Sequence, residues 1–273
     1  SGLGTAWHEF SHGLGLPDLY NTANNKNLMM ARWDLMSTGC YNDDSWCPVA
    51  MSAYERAFCG WLTPTVLTAD TVVSALLPLS QEPQAFLVRN DADDPDADEY
   101  YLLENRQPDK WDSSLPGRGM LVWHIDYDRS IWIDNAVNND ASHYRIDIIP
   151  AAGTRSSSTA PYPYTWGTTS LDALTDTTTP AATVFNTNVH GTNFMGKPIT
   201  AITQLDDGNV SFRFSNERMA ADVNGDGIVN VGDIMAIINV MARPADAKYK
   251  DFADVNGDGV VNVGDIMAVI NNM

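Results

Sequence analysis

The first 66 residues are predicted to be helical, with long loops between the helices. A helix is expected over residues 4–14, where Gly13 or Gly15 would end it, because glycine is the usual helix terminator. A second helix is expected over residues 48–61, since its apolar residues recur every three or four positions. Pro48 suits the first turn of that helix, and Gly60 suits its end.

From residue 67 to residue 216 the pattern changes to that of strands. Five segments rich in β-branched and aromatic residues alternate in part between apolar and polar positions. These segments are residues 86–89, 100–104, 119–125, 144–149 and 210–214. Residues 154–193 are rich in Thr, Ser, Pro and Asn, and are predicted to form a long irregular loop. The pattern therefore predicts a β-rich, sandwich-like middle domain.

The C-terminal zone contains an internal repeat. Residues 221–241 and 253–273 differ at only three of 21 positions, at an offset of 32 residues. Each copy ends in an apolar segment that is predicted to be helical. A short polar stretch precedes the first copy, so the chain is divided into residues 1–66, 67–216 and 221–273.

The composition excludes several classes of protein. With 44% hydrophobic residues among 273, the chain can bury a core, which excludes wholesale disorder. Its apolar runs are far shorter than the about 20 residues that a membrane-spanning helix needs. The net charge of −19 would repel nucleic acid and favours cation binding. The three cysteines leave two alternatives: a disulfide between Cys40 and Cys47, or three free thiols that include Cys59.

The N-terminal helix carries a metal-binding motif. Residues 8–12 read HExxH, which on a helix sets His8 and His12 on one face, where both can bind one metal ion. Glu9 lies beside them, where it can take a proton from a water activated by Zn²⁺. Gly15 and Asp18 extend the motif to HExxHxxGxxD, the metzincin layout with Asp in place of the third His. The sequence therefore predicts a catalytic zinc site.

Several roles around this site stay open. Asp18 is the favoured third zinc ligand, and Glu55 on the later helix is the alternative, as in thermolysin-like enzymes. Met36 is predicted to form the Met-containing turn beneath the metal. A donor to the oxyanion is needed besides zinc, and Tyr41 and Tyr54 are both candidates. The strand-borne histidines, His124 and His143, are expected to be structural.

Each C-terminal repeat contains a 12-residue loop with the spacing of a calcium site. Oxygen-bearing side chains stand at loop positions 1, 3, 5, 9 and 12, glycine at 6 makes the sharp turn, and the residue at 7 offers its carbonyl. The first loop would supply Asp222, Asn224, Asp226, Ile228, Asn230 and Asp233. The second would supply Asp254, Asn256, Asp258, Val260, Asn262 and Asp265. Two Ca²⁺ ions are therefore predicted.

Five segments together resemble the immune inhibitor A family of secreted bacterial metallopeptidases. They are HEFSHGLGLPDLY (8–20), WDLMSTG (33–39), PVAMSAYERAFCGWL (48–62), YYLLENRQ (100–107) and SLPGRGMLVWHID (114–126). The resemblance implies a zinc endopeptidase made with a signal peptide and a prodomain, with His8 and His12 as ligands and Glu9 as the catalytic glutamate. In proteases of this type a substrate-aligning sheet precedes the zinc helix. Only seven residues precede His8 here, so a longer parent chain is expected.

The repeat, DVNGDGxVNVGDIMAxIN, resembles a type I dockerin, the module that docks on cohesins. The resemblance covers residues 221–273. In dockerins, partner-reading residues often stand just before the final Asp of the loop, and here these positions hold Val231-Gly232 and Val263-Gly264. The resemblance implies a cohesin-like or cell-surface docking partner.

The sequence as a whole predicts an α+β multidomain protein. Its parts are a truncated metzincin-like zinc-helix region, a β-rich sandwich-like domain and a small all-α dockerin-like module with paired calcium loops. The predicted function is that of a secreted bacterial zinc endopeptidase, extracellular or on the cell surface, that hydrolyses peptide bonds in proteins or peptides. The alternative is a non-catalytic, calcium-dependent adhesion or assembly fragment whose zinc site is incomplete.

Overall fold

The computed structural model describes residues 2–24, 30–153, 164–167, 172–189, 191–216, 221–224, 229–244 and 249–273. Its α-helices are α1 (Leu3–His12), α2 (Ala53–Phe58), α3 (Arg129–Ile133), α4 (Val231–Ala242) and α5 (Val263–Asn272). Short 3-10 segments lie at Ala31–Trp33, Thr38–Ser45, Lys110–Ser114 and Lys250–Phe252. None of the helices in these ranges is long and apolar enough to cross a membrane.

The strands form two sheets. They are β1 (Thr65–Val66), β2 (Thr71–Leu76), β3 (Phe86–Arg89), β4 (Asp98–Arg106), β5 (Gly119–Tyr127), β6 (Ile146–Ile148), β7 (Ile199–Gln204) and β8 (Val210–Phe214). The larger sheet has the order β1-β3-β4-β5-β6, parallel between β1 and β3 and antiparallel elsewhere. The smaller sheet is antiparallel, in the order β2-β8-β7. The fold is thus α+β, as the sequence predicted.

One face of the five-stranded sheet packs on the three-stranded sheet. Because side chains alternate along a strand, β3, β4 and β5 send every second residue into this layer. Members of the layer from both sheets are Phe86, Val88, Tyr101, Leu103, Val122, Ile199, Val210, Phe212 and Phe214. Phe86 and Phe212 meet edge to face, with ring centroids 5.7 Å apart. This face-to-face packing of two sheets agrees with the sandwich-like domain expected from the sequence.

The other face of the five-stranded sheet packs on the N-terminal zone. The intervening residues of the same strands join side chains from the first 62 residues in a second cluster. Its members include Leu16, Leu19, Trp33, Met36, Ala53, Tyr54, Leu87, Leu102, Leu121, Trp123 and Ile125. The core is therefore continuous across residues 66 and 67, where the sequence pattern changes from helix to strand.

Helix α2 is shorter than the helix expected over residues 48–61. Ser52 caps its N-terminus in a capping box, in which Glu55 N donates to Ser52 Oγ and Ser52 N donates to Glu55 Oε2. A residue at the N-cap has extended backbone angles, so residues 48–51 cannot belong to the helix. For the cysteines, the structure agrees with the second alternative, because Cys40, Cys47 and Cys59 are all free thiols.

A buried ionic network joins α2 to the central sheet. Arg106 on β4 donates two hydrogen bonds to Asp112, from Nε at 2.9 Å and from Nη2 at 2.6 Å, and a third to Glu104 at 3.2 Å. Glu104 in turn accepts from the backbone N of Ala53 at 2.6 Å. Glu55 is also fully buried, as is the nearby Asp34, and neither carboxyl group forms a salt bridge with a basic side chain of the described residues.

We expect Glu55→Gln to change the pH dependence of stability. Burial raises the pKa of Glu55 to about 7, so the folded state holds a proton that the unfolded state releases near pH 4.5. The folding free energy associated with this proton is fully present below pH 4.5 and is lost as the pH rises through 7. Glutamine keeps an acceptor for Ser52 N but does not ionise. Between pH 5 and pH 8, the free energy of unfolding of the wild type should therefore fall by about 2 to 3 kcal/mol relative to that of the variant.

Urea unfolding followed by tryptophan fluorescence at both pH values measures this difference. Glu82→Gln, a change at an exposed glutamate, is the matched control and should show no such divergence. Parallel pH profiles for Glu55→Gln and the wild type would mean that Glu55 stays ionised in the folded protein.

Candidate metal centre

Helix α1 presents both histidines of the HExxH segment on one side. The rings of His8 and His12 stand nearly perpendicular, at 86°, with centroids 4.9 Å apart. A Cβ on Gly4 would lie 1.8 Å from the carbonyl oxygen of Cys40, so only glycine allows α1 to approach that loop so closely. The helix is thereby fixed against the segment that follows Met36.

Asp18 returns to the histidines because the chain reverses after α1. Gly15 has a φ of +93°, a conformation that L side chains rarely adopt. Leu16 N then donates to Ser11 O at 3.2 Å. Asp18 Oδ1 lies 3.1 Å from His8 Nε2 and 3.5 Å from His12 Nε2. Across the part of the chain that the structure describes, no other set of three His, Cys, Asp or Glu side chains has its ligand atoms within 4.8 Å of one another.

Backbone carbonyls orient both imidazoles. His8 Nδ1 lies 2.9 Å from Leu35 O, and His12 Nδ1 lies 2.8 Å from Leu16 O. A carbonyl oxygen only accepts hydrogen bonds, so each Nδ1 is the donor. The two Nε2 atoms are left to face Asp18. Metal-binding histidines commonly donate their second ring nitrogen in this way, so the arrangement suits a divalent cation.

The three side chains are electrostatically coupled. Burial lowers the pKa of His8, but the hydrogen bonds to Asp18, Cys40 and Leu35 and the electrostatic interaction with Cys40 together outweigh burial and raise the pKa to about 10. Burial likewise raises the pKa of Asp18, while hydrogen bonds from His8 and Asn135 lower it below its usual range. A cation bound to this set must therefore displace a proton, because a metal ligand has to be deprotonated.

The turn that contains Met36 lies against the same site. Leu35 supplies the carbonyl for His8, and Met36 O accepts from Leu19 N at 3.0 Å. The Met36 side chain is fully buried in the cluster that packs on the central sheet. Glu55, the alternative third ligand, is part of the capping box of α2 and does not belong to the His8, His12 and Asp18 group.

The two candidate tyrosines lie in different environments. Tyr54 is buried, and its hydroxyl accepts from Trp132 Nε1 at 2.5 Å. Tyr41 is 60% exposed, and its pKa is raised by Cys40, by burial and by the carboxylates of Glu9 and Asp18. Of the two candidate oxyanion donors, Tyr41 is therefore the one whose hydroxyl is exposed and interacts electrostatically with Glu9 and Asp18. Its neighbour Glu9 is itself exposed, as a residue that exchanges protons with substrate must be.

Two residues near the site, Tyr20 and Asn135, were not predicted from the sequence to belong to it. Burial and the Asp18 carboxylate raise the pKa of Tyr20 to about 12, which shows that its phenol lies near that carboxylate. Asn135 hydrogen-bonds to Asp18 although 117 residues separate them. Tyr20 ends the segment of residues 8–20 that carries the family resemblance, and this position is a signal for a role near the site. No local pattern distinguishes Asn135.

His124, on β5, and His143, which precedes β6, are paired with carboxylates away from this group. His124 Nε2 lies 2.6 Å from Glu99 Oε1, and His143 Nε2 lies 2.6 Å from Asp126 Oδ2. The ring of Phe185 stacks on both imidazoles. Each histidine thus has a partner within the protein, as the structural role expected from the sequence requires.

The C-terminal repeats fold around a core of their own. Buried members from both copies are Ala221, Val223, Ala236, Ile237, Val240, Ala253 and Val269. In the first loop, Asp226 and Ile228 lie outside the described residues. Asn230 and Asp233 form a capping box at the start of α4, and Asp233 Oδ1 also accepts from Asn224 N at 2.9 Å. Asp222 is buried at the beginning of this loop.

The second loop is described in full. Asp265, fully buried, forms the matching capping box with Asn262 and accepts from Val255 N at 2.8 Å. Asp254 accepts from Asp258 N at 3.1 Å and from Gly259 N at 2.8 Å. The remaining members, Asn256 and Val260, provide an amide oxygen and a backbone carbonyl. Carboxylate, amide and carbonyl oxygens form the donor set that Ca²⁺ prefers, so the chemistry of the loop fits this ion.

The comparisons with known proteins agree with both resemblances. A family model described as the immune inhibitor A peptidase M6 catalytic domain matches residues 1–61. A model described as the dockerin type I domain matches residues 220–273. Searches of curated proteins and of solved structures gave no significant match. The N-terminal segment thus resembles a peptidase catalytic domain, and the C-terminal segment resembles a dockerin domain.

Proposed function

We propose that the chain is part of a zinc-dependent endopeptidase that acts outside the cell or at the cell surface. The observation that carries this proposal is the convergence of His8 Nε2, His12 Nε2 and Asp18 Oδ1 beside Glu9. Three protein ligands that leave one position open are typical of catalytic rather than structural zinc sites. The match of residues 1–61 to a peptidase catalytic domain supports the same activity.

The residues divide the chemistry between them. Zn²⁺, when bound, would supply Lewis acidity toward the scissile carbonyl and a water acidified to a pKa of about 7. Glu9 accepts the proton of the attacking water and delivers it to the leaving amine. Tyr41, whose hydroxyl is exposed and feels the charges of Glu9 and Asp18, donates a hydrogen bond to the developing oxyanion. Leu35 O and Leu16 O hold the two imidazoles in place.

The dockerin-like module would dock the enzyme on a cohesin-like or cell-surface partner after binding two Ca²⁺ ions. Its two helices expose apolar side chains at equivalent positions of the repeat. These are Val231, Met235, Ile238 and Met241 on α4, Val263, Met267 and Ile270 on α5, and Met273 directly after α5. Such a surface is typical of a protein-binding face, and the match to the dockerin type I domain supports that role.

The first test is zinc binding. We expect about one zinc per chain in the wild type and a loss of most of it in His12→Ala, since two ligands cannot replace three. Zinc is measured by metal analysis after dialysis, and His143→Ala, which removes a histidine outside the group, is the matched control. Equal zinc in His12→Ala and the wild type would contradict the proposed site.

The second test is hydrolysis of casein with and without phenanthroline. We expect the chelator to abolish hydrolysis and added zinc to restore it. The adhesion alternative predicts instead that a zinc-free, non-hydrolytic chain still binds its partner in calcium.

A further inference from the structure

Asp18 is held by one side chain through two hydrogen bonds. Asn135 Nδ2 donates to Asp18 Oδ2 at 2.9 Å, and Asp18 N donates to Asn135 Oδ1 at 2.7 Å. The side-chain amide of Asn135 thus hydrogen-bonds to both the backbone N–H and the carboxylate of Asp18. The other carboxylate oxygen, Oδ1, is the one that faces His8 and His12. This division of the two oxygens fixes which of them is presented to a metal.

The neighbouring asparagines hold the rest of the segment but not the carboxylate. Asn138 Nδ2 donates to Leu19 O at 3.0 Å. Asn139 Oδ1 accepts from Thr22 N at 2.8 Å, and Asn139 O accepts from Asn21 Nδ2 at 3.1 Å. These contacts anchor the backbone that follows Asp18. Of the three asparagines, Asn135 is the one that hydrogen-bonds to the side chain of the proposed ligand.

The loop that carries Asn135 is itself rigidly anchored. It follows α3, whose N-terminus is capped by Asp128 and whose Trp132 is buried and donates to the Tyr54 hydroxyl. Asn135 has a φ of +52°, which asparagine tolerates better than most residues. Its backbone carbonyl also accepts from Thr22 Oγ1 at 3.0 Å. The segment that carries Asn135 is therefore held by hydrogen bonds other than the contact with Asp18.

We propose that Asn135 is the positioning residue of the zinc site, which selects Oδ1 of Asp18 as the third metal-binding atom. The inference rests on the proposed zinc site. An aspartate ligand has a short side chain, so a small rotation of its carboxylate carries the ligand atom out of reach of a metal held by His8 and His12. A neutral amide donor prevents that rotation without adding a charge that would compete for the cation. The site of residues 1–61 thus depends on a residue of the β-rich region.

The decisive variant is Asn135→Asp. It preserves the size of the side chain, its acceptor for Asp18 N and its tolerance of positive φ, but replaces the donor to Oδ2 with a carboxylate oxygen. We expect zinc affinity, measured by competition with a chromophoric chelator at neutral pH, to fall by about 10- to 100-fold. The visible spectrum of the Co²⁺-substituted protein should change as well, because the carboxylate ligand is displaced. Asn139→Asp is the matched control, and its zinc affinity should stay within about threefold of the wild type.

The outcomes separate this inference from the proposed function. If the wild type binds zinc, His12→Ala loses it and Asn135→Asp retains full affinity with an unchanged Co²⁺ spectrum, the positioning role is wrong and the zinc site stands. If Asn139→Asp weakens zinc as much as Asn135→Asp does, the loop acts only on the backbone, and the positioning role is again wrong. A wild type that binds no zinc overturns both proposals.

A second variant covers the case in which Asn135→Asp does not fold. Asn135→Gly tolerates the same φ and removes both hydrogen bonds without adding a charge. Circular dichroism of the metal-free protein checks that it is folded. A zinc affinity at least about tenfold below that of the wild type supports the positioning role, and an unchanged affinity overturns it.

Discussion

Glu9→Gln is expected to lower the rate of peptide-bond hydrolysis by about 10²- to 10⁴-fold while the zinc content stays at the wild-type level. Glutamine has almost the same shape as glutamate, but its amide does not accept the proton of the attacking water. Glu9 does not belong to the group formed by His8, His12 and Asp18, so the metal should be retained. Because Glu9 is exposed, its replacement should leave the fold intact.

The measurement combines casein hydrolysis with metal analysis of the same sample, in a form of the protein that is active. Glu82→Gln, which makes the same chemical change at another exposed glutamate, controls for the loss of a surface charge. A Glu9→Gln rate near that of the wild type would remove Glu9 from the role of general base. A loss of both zinc and activity would instead place Glu9 among the groups that hold the metal.

The clustering of His8, His12 and Asp18 was largely predictable because the information that determines it is local. His8 and His12 are one turn apart on a single helix, and Gly15 lets the chain reverse so that Asp18 follows at once. The periodicity of α1 and the need for a positive φ at the glycine are both properties of a segment of about ten residues. Spacing along the sequence therefore determines most of the geometry of this group.

The support of the group was not predictable, because it comes from far along the chain. Asn135 reaches Asp18 across 117 residues, and nothing in its own surroundings marks it. The same reason explains why Tyr41 and Tyr54 could not be separated in advance. Both lie in the N-terminal zone, but only packing against Trp132 shows that the Tyr54 hydroxyl is already engaged in the core.

The strands show the same division between local and distant information. Segments with runs of large apolar residues, such as β3 and β5, were predicted well. β2 and β7 were missed, because each mixes threonine and alanine with only a few large apolar residues. Their pairing with β8 supplies what local propensity lacks. The capping box of α2 likewise overrides the longer helical periodicity that begins at Pro48.

The central sheet also shows that the packing of the N-terminal segment involves more than its own residues. The predicted division at residues 66 and 67 followed the change in the sequence pattern, and in the structure the first strand, β1, begins at Thr65. The layer that contains Leu16, Met36 and Tyr54 nevertheless packs on β4 and β5, and Ala53 N at the start of α2 donates a hydrogen bond to Glu104 on β4. A sequence pattern predicts which helices and strands form. Which of them pack together in one core depends on contacts between distant residues, and the pattern does not contain these contacts. The domain boundaries therefore remain predictions.

The dockerin-like module is expected to lose its fold when calcium is removed. In the second loop, backbone N–H groups donate hydrogen bonds to the carboxylates of Asp254 and Asp265. These bonds hold two negative charges within one small loop. Asp258 adds a third. The core shared by both repeats consists mainly of small and β-branched side chains, and a module of about 50 residues has little apolar area with which to oppose this repulsion. The free energy of calcium binding then becomes free energy of folding.

Hydrogen exchange of the intact chain, with and without a calcium chelator, measures this effect. The amides of α4 and α5 should exchange about 10³-fold faster in chelator, because a ligand at 1,000 times its dissociation constant stabilises the folded state by about 4 kcal/mol. The amides of β4 and β5 are the internal control and should change little, since their strands are buried on both faces of the central sheet. Protection of α4 and α5 that is equal in chelator and in calcium would mean that the module folds without metal and that its two loops no longer bind it.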